Sequence, residues 1–191
     1  MHKTTGLAAV GILFLALLAG NSSLLPAASD AGLKVYSAST VMKGDTYFMD
    51  AQLGYNLSQA ALDALDSGVP LTFELEVDIY TPRKWLWNKT LLRSSHRYQV
   101  VYHALSQQYI VTNINSGIQN NYSRRNTALL SMGRINDVPL VEQKALPESD
   151  AVMVRLRVSL LIDALPSPMR PWAYINSDWL LASEWFKWEL K

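Results

Sequence analysis

A run of strictly alternating residues, 71–80, constrains the fold more than any other part of the sequence. Apolar side chains occupy every second position and polar or aromatic ones stand between them: Leu71, Phe73, Leu75, Val77 and Ile79 against Thr72, Glu74, Glu76, Asp78 and Tyr80. A period of two places the sets on opposite faces of a strand. Burying each apolar side chain contributes about 1.5–3 kcal/mol. The run therefore predicts a strand with one face on a core.

Similar patterns recur along the chain and are separated by turn signals. Residues 46–57, 97–104, 151–163 and 179–190 show alternation that predicts strands, and Lys43-Gly44-Asp45 is typical of a hairpin turn. Ser58 can cap a short helix over residues 59–66, and residues 126–132 predict a second one. Residues 136–150 are predicted to be a loop. We expect an all-β fold, an immunoglobulin-like antiparallel β-sandwich with two short helices.

The first residues combine a short basic start with an apolar run. His2 and Lys3 precede apolar residues 6–19. A membrane-spanning helix needs about 20 residues, so this run fits the centre of an export signal. We expect residues 1–31 to be a signal peptide or, if the apolar residues through Leu25 are used, an uncleaved N-terminal anchor. A single β-sandwich domain over residues 32–191 should follow, located outside the cytoplasm.

Charge and cysteine content exclude several classes of function. The formal net charge is +1, which gives no basic excess for binding nucleic acid. The chain has no cysteine, so disulfides, thiol chemistry and a lipid-modified N-terminal cysteine are excluded.

The candidate chemical groups favour structural roles over catalysis. Glu74, Glu76 and Asp78 could hold a metal or act as acid and base, but the same pattern fits ion pairs with arginines on neighbouring strands, namely Arg93, Arg97, Arg155 or Arg157. His96 and His103 are an odd number of residues apart, which puts them on opposite faces of one strand. No G-x-S-x-G motif frames a serine. We expect no enzyme, no metal and no cofactor; a hydrolase without a recognisable motif is the least favoured hypothesis.

A basic and aromatic segment is the best candidate for contact with a partner. Arg83, Lys84, Trp85 and Trp87 follow Pro82, between two predicted strands. On a loop, such residues could rest on lipid headgroups or dock a protein by burying tryptophan. The alternative is that both tryptophans pack on the core or on Trp185 and Trp188.

Several segments together resemble a bacterial protein family. They are GVPLTFELEVDIY, a W-x-W motif, RYQVVYHALSQQYIVTN, MGRINDVPL and LASEWFKWEL, which span residues 68–190. In this combination the chain resembles the DUF4390 family, exported proteobacterial proteins without an assigned activity. Genes of that family often lie near a membrane-bound sensor kinase.

The resemblance leads to two functional hypotheses. In the first, the chain is a non-catalytic periplasmic binding or interaction module that acts with an envelope protein such as a sensor kinase. In the second, it is a structural or assembly factor anchored in the inner membrane and facing the periplasm. Contact with the inner membrane is possible in both.

Overall fold

The computed structural model describes residues 31–83, 85–147 and 151–190, and these residues form mainly strands. The predicted signal segment, apart from Ala31, lies outside them. The strands are β1 (Gly32–Lys43), β2 (Thr46–Asn56), β3 (Leu71–Thr81), β4 (Lys89–His103), β5 (Gln108–Asn113), β6 (Gln119–Tyr122), β7 (Arg134–Glu142), β8 (Met153–Leu160) and β9 (Phe186–Glu189). The helices are α1 (Gln59–Asp66), α2 (Arg125–Met132) and α3 (Arg170–Ile175), with short 3-10 segments at Gln143–Ala145, Ile162–Ala164 and Ser177–Trp179.

The strands form two antiparallel sheets. The smaller sheet has the order β1-β2-β7 and the larger one β6-β5-β4-β3-β8-β9. The alternating strand β3 lies in the middle of the larger sheet, where β4 and β8 pair with it on either side. The expectation of a mainly β protein with few helices is thus confirmed.

One hydrophobic cluster joins the inner faces of both sheets. Met49 and Leu53 of β2 belong to the same buried cluster as Phe73 and Val77 of β3. The rings of Tyr55 and Phe73 meet edge to face, with centroids 4.9 Å apart. The odd positions of β3 face the core as the sequence predicted, because Leu71, Phe73, Leu75, Val77 and Ile79 are all fully buried.

Capping and a close approach place the first two helices. The Ser58 hydroxyl accepts a hydrogen bond from Ala61 N at 3.2 Å, which fixes the start of α1 as predicted. α2 ends at Gly133, whose carbonyl accepts from Leu53 N at 2.8 Å. A Cβ at position 133 would lie 2.3 Å from the Leu53 carbonyl oxygen. Glycine is therefore needed where α2 meets β2.

Residues 136–150 are not simply a loop, so that prediction was wrong. Residues 136–142 belong to β7, which pairs with β2. Pro139 lacks the N–H that a central strand would need. However, β7 is an edge of the smaller sheet, and an edge strand tolerates proline because one side of it needs no N–H.

The predicted strand over residues 179–190 is also wrong for most of its length. Trp179 closes a 3-10 turn, and only Phe186–Glu189 forms a strand. Ser183 interrupts regular pairing: its hydroxyl accepts from Val158 N at 3.1 Å, in place of a backbone carbonyl. The alternation of residues 179–185 reflects burial of Trp179 and Leu181 rather than a continuous ladder.

The helix α3 was not predicted. Three prolines, Pro166, Pro168 and Pro171, predict only that residues 164–171 form no long helix. The helix is short and carries proline in its first turn, where no intrahelical N–H bond is lost. Within the described ranges, no helix is long and apolar enough to cross a bilayer.

Candidate contact surface

The connection between β3 and β4 places its tryptophans in solvent. We call residues 82–88 the tryptophan link. Trp85 is 95% exposed and Trp87 is 92% exposed, with Leu86 exposed between them. Arg83 is exposed on the same link. Lys84, the remaining predicted contact residue, lies outside the described residues.

Local chemistry explains why the chain leaves the sheet at this point. Thr81 pairs with Lys89 at the end of the hairpin. Pro82 follows directly and has no N–H to extend the ladder. The backbone N–H of Arg83 donates to Asn88 Oδ1 at 3.4 Å across the base of the link. The pairing therefore stops at Thr81, and the tryptophans fall on the connection rather than on a strand face.

The alternative packing of these tryptophans is not what the structure shows. Trp85 and Trp87 pack neither on the core nor on the C-terminal tryptophans. The Trp185 ring stacks on the guanidinium of Arg155, 4.3 Å from its centroid, and Trp188 lies beside Phe186 with centroids 6.0 Å apart. Large exposed aromatic groups that lie close together are typical of a contact site.

The outer face of the larger sheet carries a ladder of ion pairs. The acidic strand β3 lies between two strands that supply arginines. Glu74 pairs with Arg97 of β4 at 3.0 Å, and Glu76 with Arg157 of β8 at 2.9 Å. The prediction of cross-strand pairing is confirmed for these carboxylates. Each of these two carboxylates is held by an arginine of a neighbouring strand.

Asp78 is the innermost member of the ladder, and its burial was not expected. Its side chain is only 1% exposed. It binds Arg93 Nε at 2.7 Å and Arg155 Nη2 at 2.6 Å. Burial alone would raise the pKa of Asp78, but the hydrogen bonds and charges of Arg93 and Arg155 outweigh it and hold that pKa below its ordinary value. The sequence pattern suggested a solvated face and missed this buried charge, because the convergence of Arg93 and Arg155 on one carboxylate depends on which strands pair with β3.

The two histidines lie on opposite faces of β4, as their spacing predicted. His96 pairs with Leu75, whose side chain faces the core, whereas His103 is exposed. His96 Nε2 is buried without a hydrogen-bond partner among the described residues. Burial lowers the pKa of His96. Within residues 31–83, 85–147 and 151–190, no group of three or more acidic or histidine side chains converges as a metal site would require.

The neutral state of His96 predicts a pH dependence of stability. Because the folded-state pKa lies below that of the unfolded chain, the unfolded state binds more protons as the pH falls below about 6.5. We therefore expect the free energy of unfolding to decrease as the pH falls from about 6.5 to the folded-state pKa of His96. Denaturant titrations of the parent and of His96→Gln measure this: the variant should lose the dependence, and the control His103→Gln should keep it. An unchanged slope in His96→Gln would contradict the assignment.

A second exposed apolar surface was missed by the sequence analysis. It lies on α3 and the following turn and consists of Trp172, Ile175 and Leu180, which are 62%, 75% and 57% exposed. We call these residues the apolar end surface. The sequence analysis predicted no helix over residues 170–175 and a strand over residues 179–190, so it did not bring Trp172, Ile175 and Leu180 onto one surface.

A shallow groove on the outer face of the smaller sheet offers no clear catalytic arrangement. Its volume is about 290 Å³, and its lining includes Ser37, Ser39, Asp50 and Arg134. Asp50 Oδ1 accepts from the backbone N–H of Asp137 at 2.9 Å. The groove lining contains no histidine, so its serines have no imidazole to activate them.

The fold and these surfaces define a mainly β protein of two antiparallel sheets with tryptophans exposed on a hairpin connection. Residues 30–189 match the family model described as a domain of unknown function, DUF4390. The chain belongs to this family, as its resemblance implied. Comparison with curated proteins and with solved structures gives no match.

Proposed function

We propose that this protein is a non-catalytic interaction module of the periplasm, which contacts an envelope protein through the tryptophan link. The observation that carries the proposal is the near-complete exposure of Trp85 and Trp87. Exposed tryptophans commonly become the centre of a protein interface, where burying one can contribute about 2 kcal/mol or more of binding free energy. The partner class that the family resemblance suggests is a membrane-bound sensor kinase.

The engagement of the acidic groups supports a binding role over an enzymatic one. Glu74, Glu76 and Asp78 are held by arginines. A general acid or base must exchange a proton with a substrate near neutral pH. The oxygens of these carboxylates are instead bonded to arginines of the same sheet, which supports a structural role for them.

The proposal includes export and a particular fold type. Residues 1–31 act as an export signal, because an apolar run follows a basic start. The folded part would face the periplasm whether this segment is cleaved or kept. The two-sheet arrangement is the immunoglobulin-like type in this proposal, supported by the antiparallel pairing within both sheets.

The double variant Trp85→Ala/Trp87→Ala tests the contact role. Because both side chains are exposed, the free energy of unfolding should change by no more than about 1 kcal/mol. If the tryptophans were core residues, each truncation would cost about 3–5 kcal/mol. The melting midpoint of the double variant distinguishes these outcomes without knowledge of any partner.

Crosslinking and recovery from envelope extracts then measure the binding role. The double variant should recover its envelope partner much less than the parent does. Leu105→Ala is a matched control, since Leu105 is also 95% exposed but lies on the β4–β5 turn. Equal recovery by parent and double variant would refute the proposal. If the double variant still recovers its protein partner but no longer binds lipid vesicles, the tryptophan link contacts the membrane instead.

A further inference from the structure

The domain begins beside the apolar end surface. β1 starts at Gly32, which pairs with Asn56 at the end of β2. Ser58 follows two positions later, and its hydroxyl donates to the carbonyl oxygen of Asp178 at 2.7 Å. Asp178 lies in the 3-10 turn between α3 and Leu180. The chain therefore enters the domain close to the segment that carries Trp172, Ile175 and Leu180.

The sequence before Gly32 limits how far this end can lie from a membrane. The apolar stretch that could serve as an anchor ends at Leu25, and six residues, 26–31, separate it from Gly32. A fully extended chain spans at most about 3.3–3.6 Å per residue, so these residues reach about 20 Å. If residues 6–25 lie in a bilayer, Gly32 and its neighbours must lie near the bilayer surface.

The side chains exposed at this end suit the boundary between lipid and water. Tryptophan and tyrosine favour that boundary, and Trp172 and Tyr174 are both exposed on α3 beside Ile175. Two polar groups nearby are engaged, because Arg170 Nε donates to the Leu165 carbonyl at 2.7 Å and the Tyr174 hydroxyl donates to Asp163. The one exposed charge of the 3-10 turn Ser177–Trp179 is the acidic Asp178. The surface is thus apolar and aromatic rather than basic.

We propose that the chain keeps its N-terminal apolar segment as an anchor and that the apolar end surface rests on the membrane. This inference goes beyond the proposed function, which requires only export. The contact is hydrophobic, so it does not depend on anionic lipid or on low salt.

The arrangement separates the two exposed surfaces. β3 runs from the membrane end, where Thr72 accepts from Leu161 N at 2.8 Å, to the tryptophan link. Its residues Leu71–Thr81 span about 35 Å at 3.3 Å per residue. The tryptophan link would point away from the bilayer that holds the other end.

The absence of cysteine allows a site-specific test with the full chain. Ser177→Cys places a fluorophore at the exposed turn of the apolar end surface, and Leu86→Cys places one on the tryptophan link. Both proteins are reconstituted in vesicles of phosphatidylethanolamine and phosphatidylglycerol that contain nitroxide-labelled headgroups. We expect strong quenching at position 177 and little at position 86, at low and high salt alike, with an intact N-terminus by mass determination.

A surface variant separates membrane contact from simple tethering. Trp172→Ser/Ile175→Ser/Leu180→Ser in the Ser177→Cys background should keep the melting midpoint but lose much of the quenching at position 177. Equal quenching at positions 177 and 86, or quenching unaffected by the triple change, would overturn the proposal. Removal of residues 1–25 from the chain recovered from cells would overturn it as well. Quenching unaffected by the triple change, or removal of residues 1–25, would leave the binding role of Trp85 and Trp87 untouched, whereas strong quenching at position 86 would assign the tryptophan link to the membrane.

Discussion

Leu156→Asp should prevent the domain from folding. Leu156 lies in the middle of β8, is fully buried and pairs with Val77 of β3. An aspartate there loses the packing of leucine and places a carboxylate in an apolar core. The neighbouring Arg155 and Arg157 lie on the opposite face of β8. A leucine-to-alanine change in a core costs about 2–5 kcal/mol, and the unpaired charge adds a penalty of several kcal/mol. The sum is comparable with the stability of about 5–15 kcal/mol that is typical of a domain.

Circular dichroism and denaturant titration of the purified chain measure this outcome. Leu156→Ala serves as a matched control, because it removes the same packing without adding charge, and it should fold with reduced stability. Val77→Asp should behave as Leu156→Asp does, since Val77 is the paired core residue on β3. Cooperative unfolding of either aspartate variant near the parent midpoint would show that the core faces are assigned incorrectly.

Asp78→Asn should destabilise the protein by about 3 kcal/mol. Removing one member of a buried ion pair costs about 3–5 kcal/mol, and we expect the lower end because Arg93 and part of Arg155 can reach water. Glu76→Gln is the matched control on the same strand. Its pair with Arg157 is more exposed, so its loss should cost about 1 kcal/mol or less.

The pH dependence of the Asp78 effect follows from the direction of its pKa shift. Since the folded-state pKa is lowered, the stabilisation is present above the unfolded-state pKa of about 3.9 and is lost as the pH falls through the folded-state pKa. The free energies of unfolding of the parent and of Asp78→Asn should therefore differ by a constant amount near neutral pH and converge in acid. A difference that is absent at neutral pH would show that the carboxylate contributes no net stability.

Local patterns predicted the central strands β3 and β8 of the larger sheet well. The period of two in β3 fixed its faces, because five apolar side chains cannot all remain in water. Gly44 at the β1–β2 turn and the Ser58 cap are likewise local signals. The pairing of Glu74 and Glu76 with arginines was predictable because acids and bases of neighbouring strands tend to face each other.

The errors occurred where tertiary context decides. Pro139 is compatible with a strand only because β7 is an edge. The hydroxyl of Ser183 replaces a ladder bond only because Val158 lies opposite it. The exposure of Trp85 and Trp87 could not be derived from their spacing, which fits a strand as well as a link. The apolar end surface needed three residues from a helix and a turn, and no sequence period connects them.

The ion-pair ladder has a consequence for how β3 finds its correct partner positions. Moving β3 by one residue relative to β4 would turn its apolar side chains outward, so hydrophobicity excludes that error. A shift of two residues keeps every apolar side chain inward and is not excluded in that way. It would, however, place Ser95 or Leu91 opposite Asp78 instead of Arg93. The buried carboxylate would then lose an arginine partner, so the charges of this sheet discriminate against alignments that its hydrophobic pattern cannot distinguish.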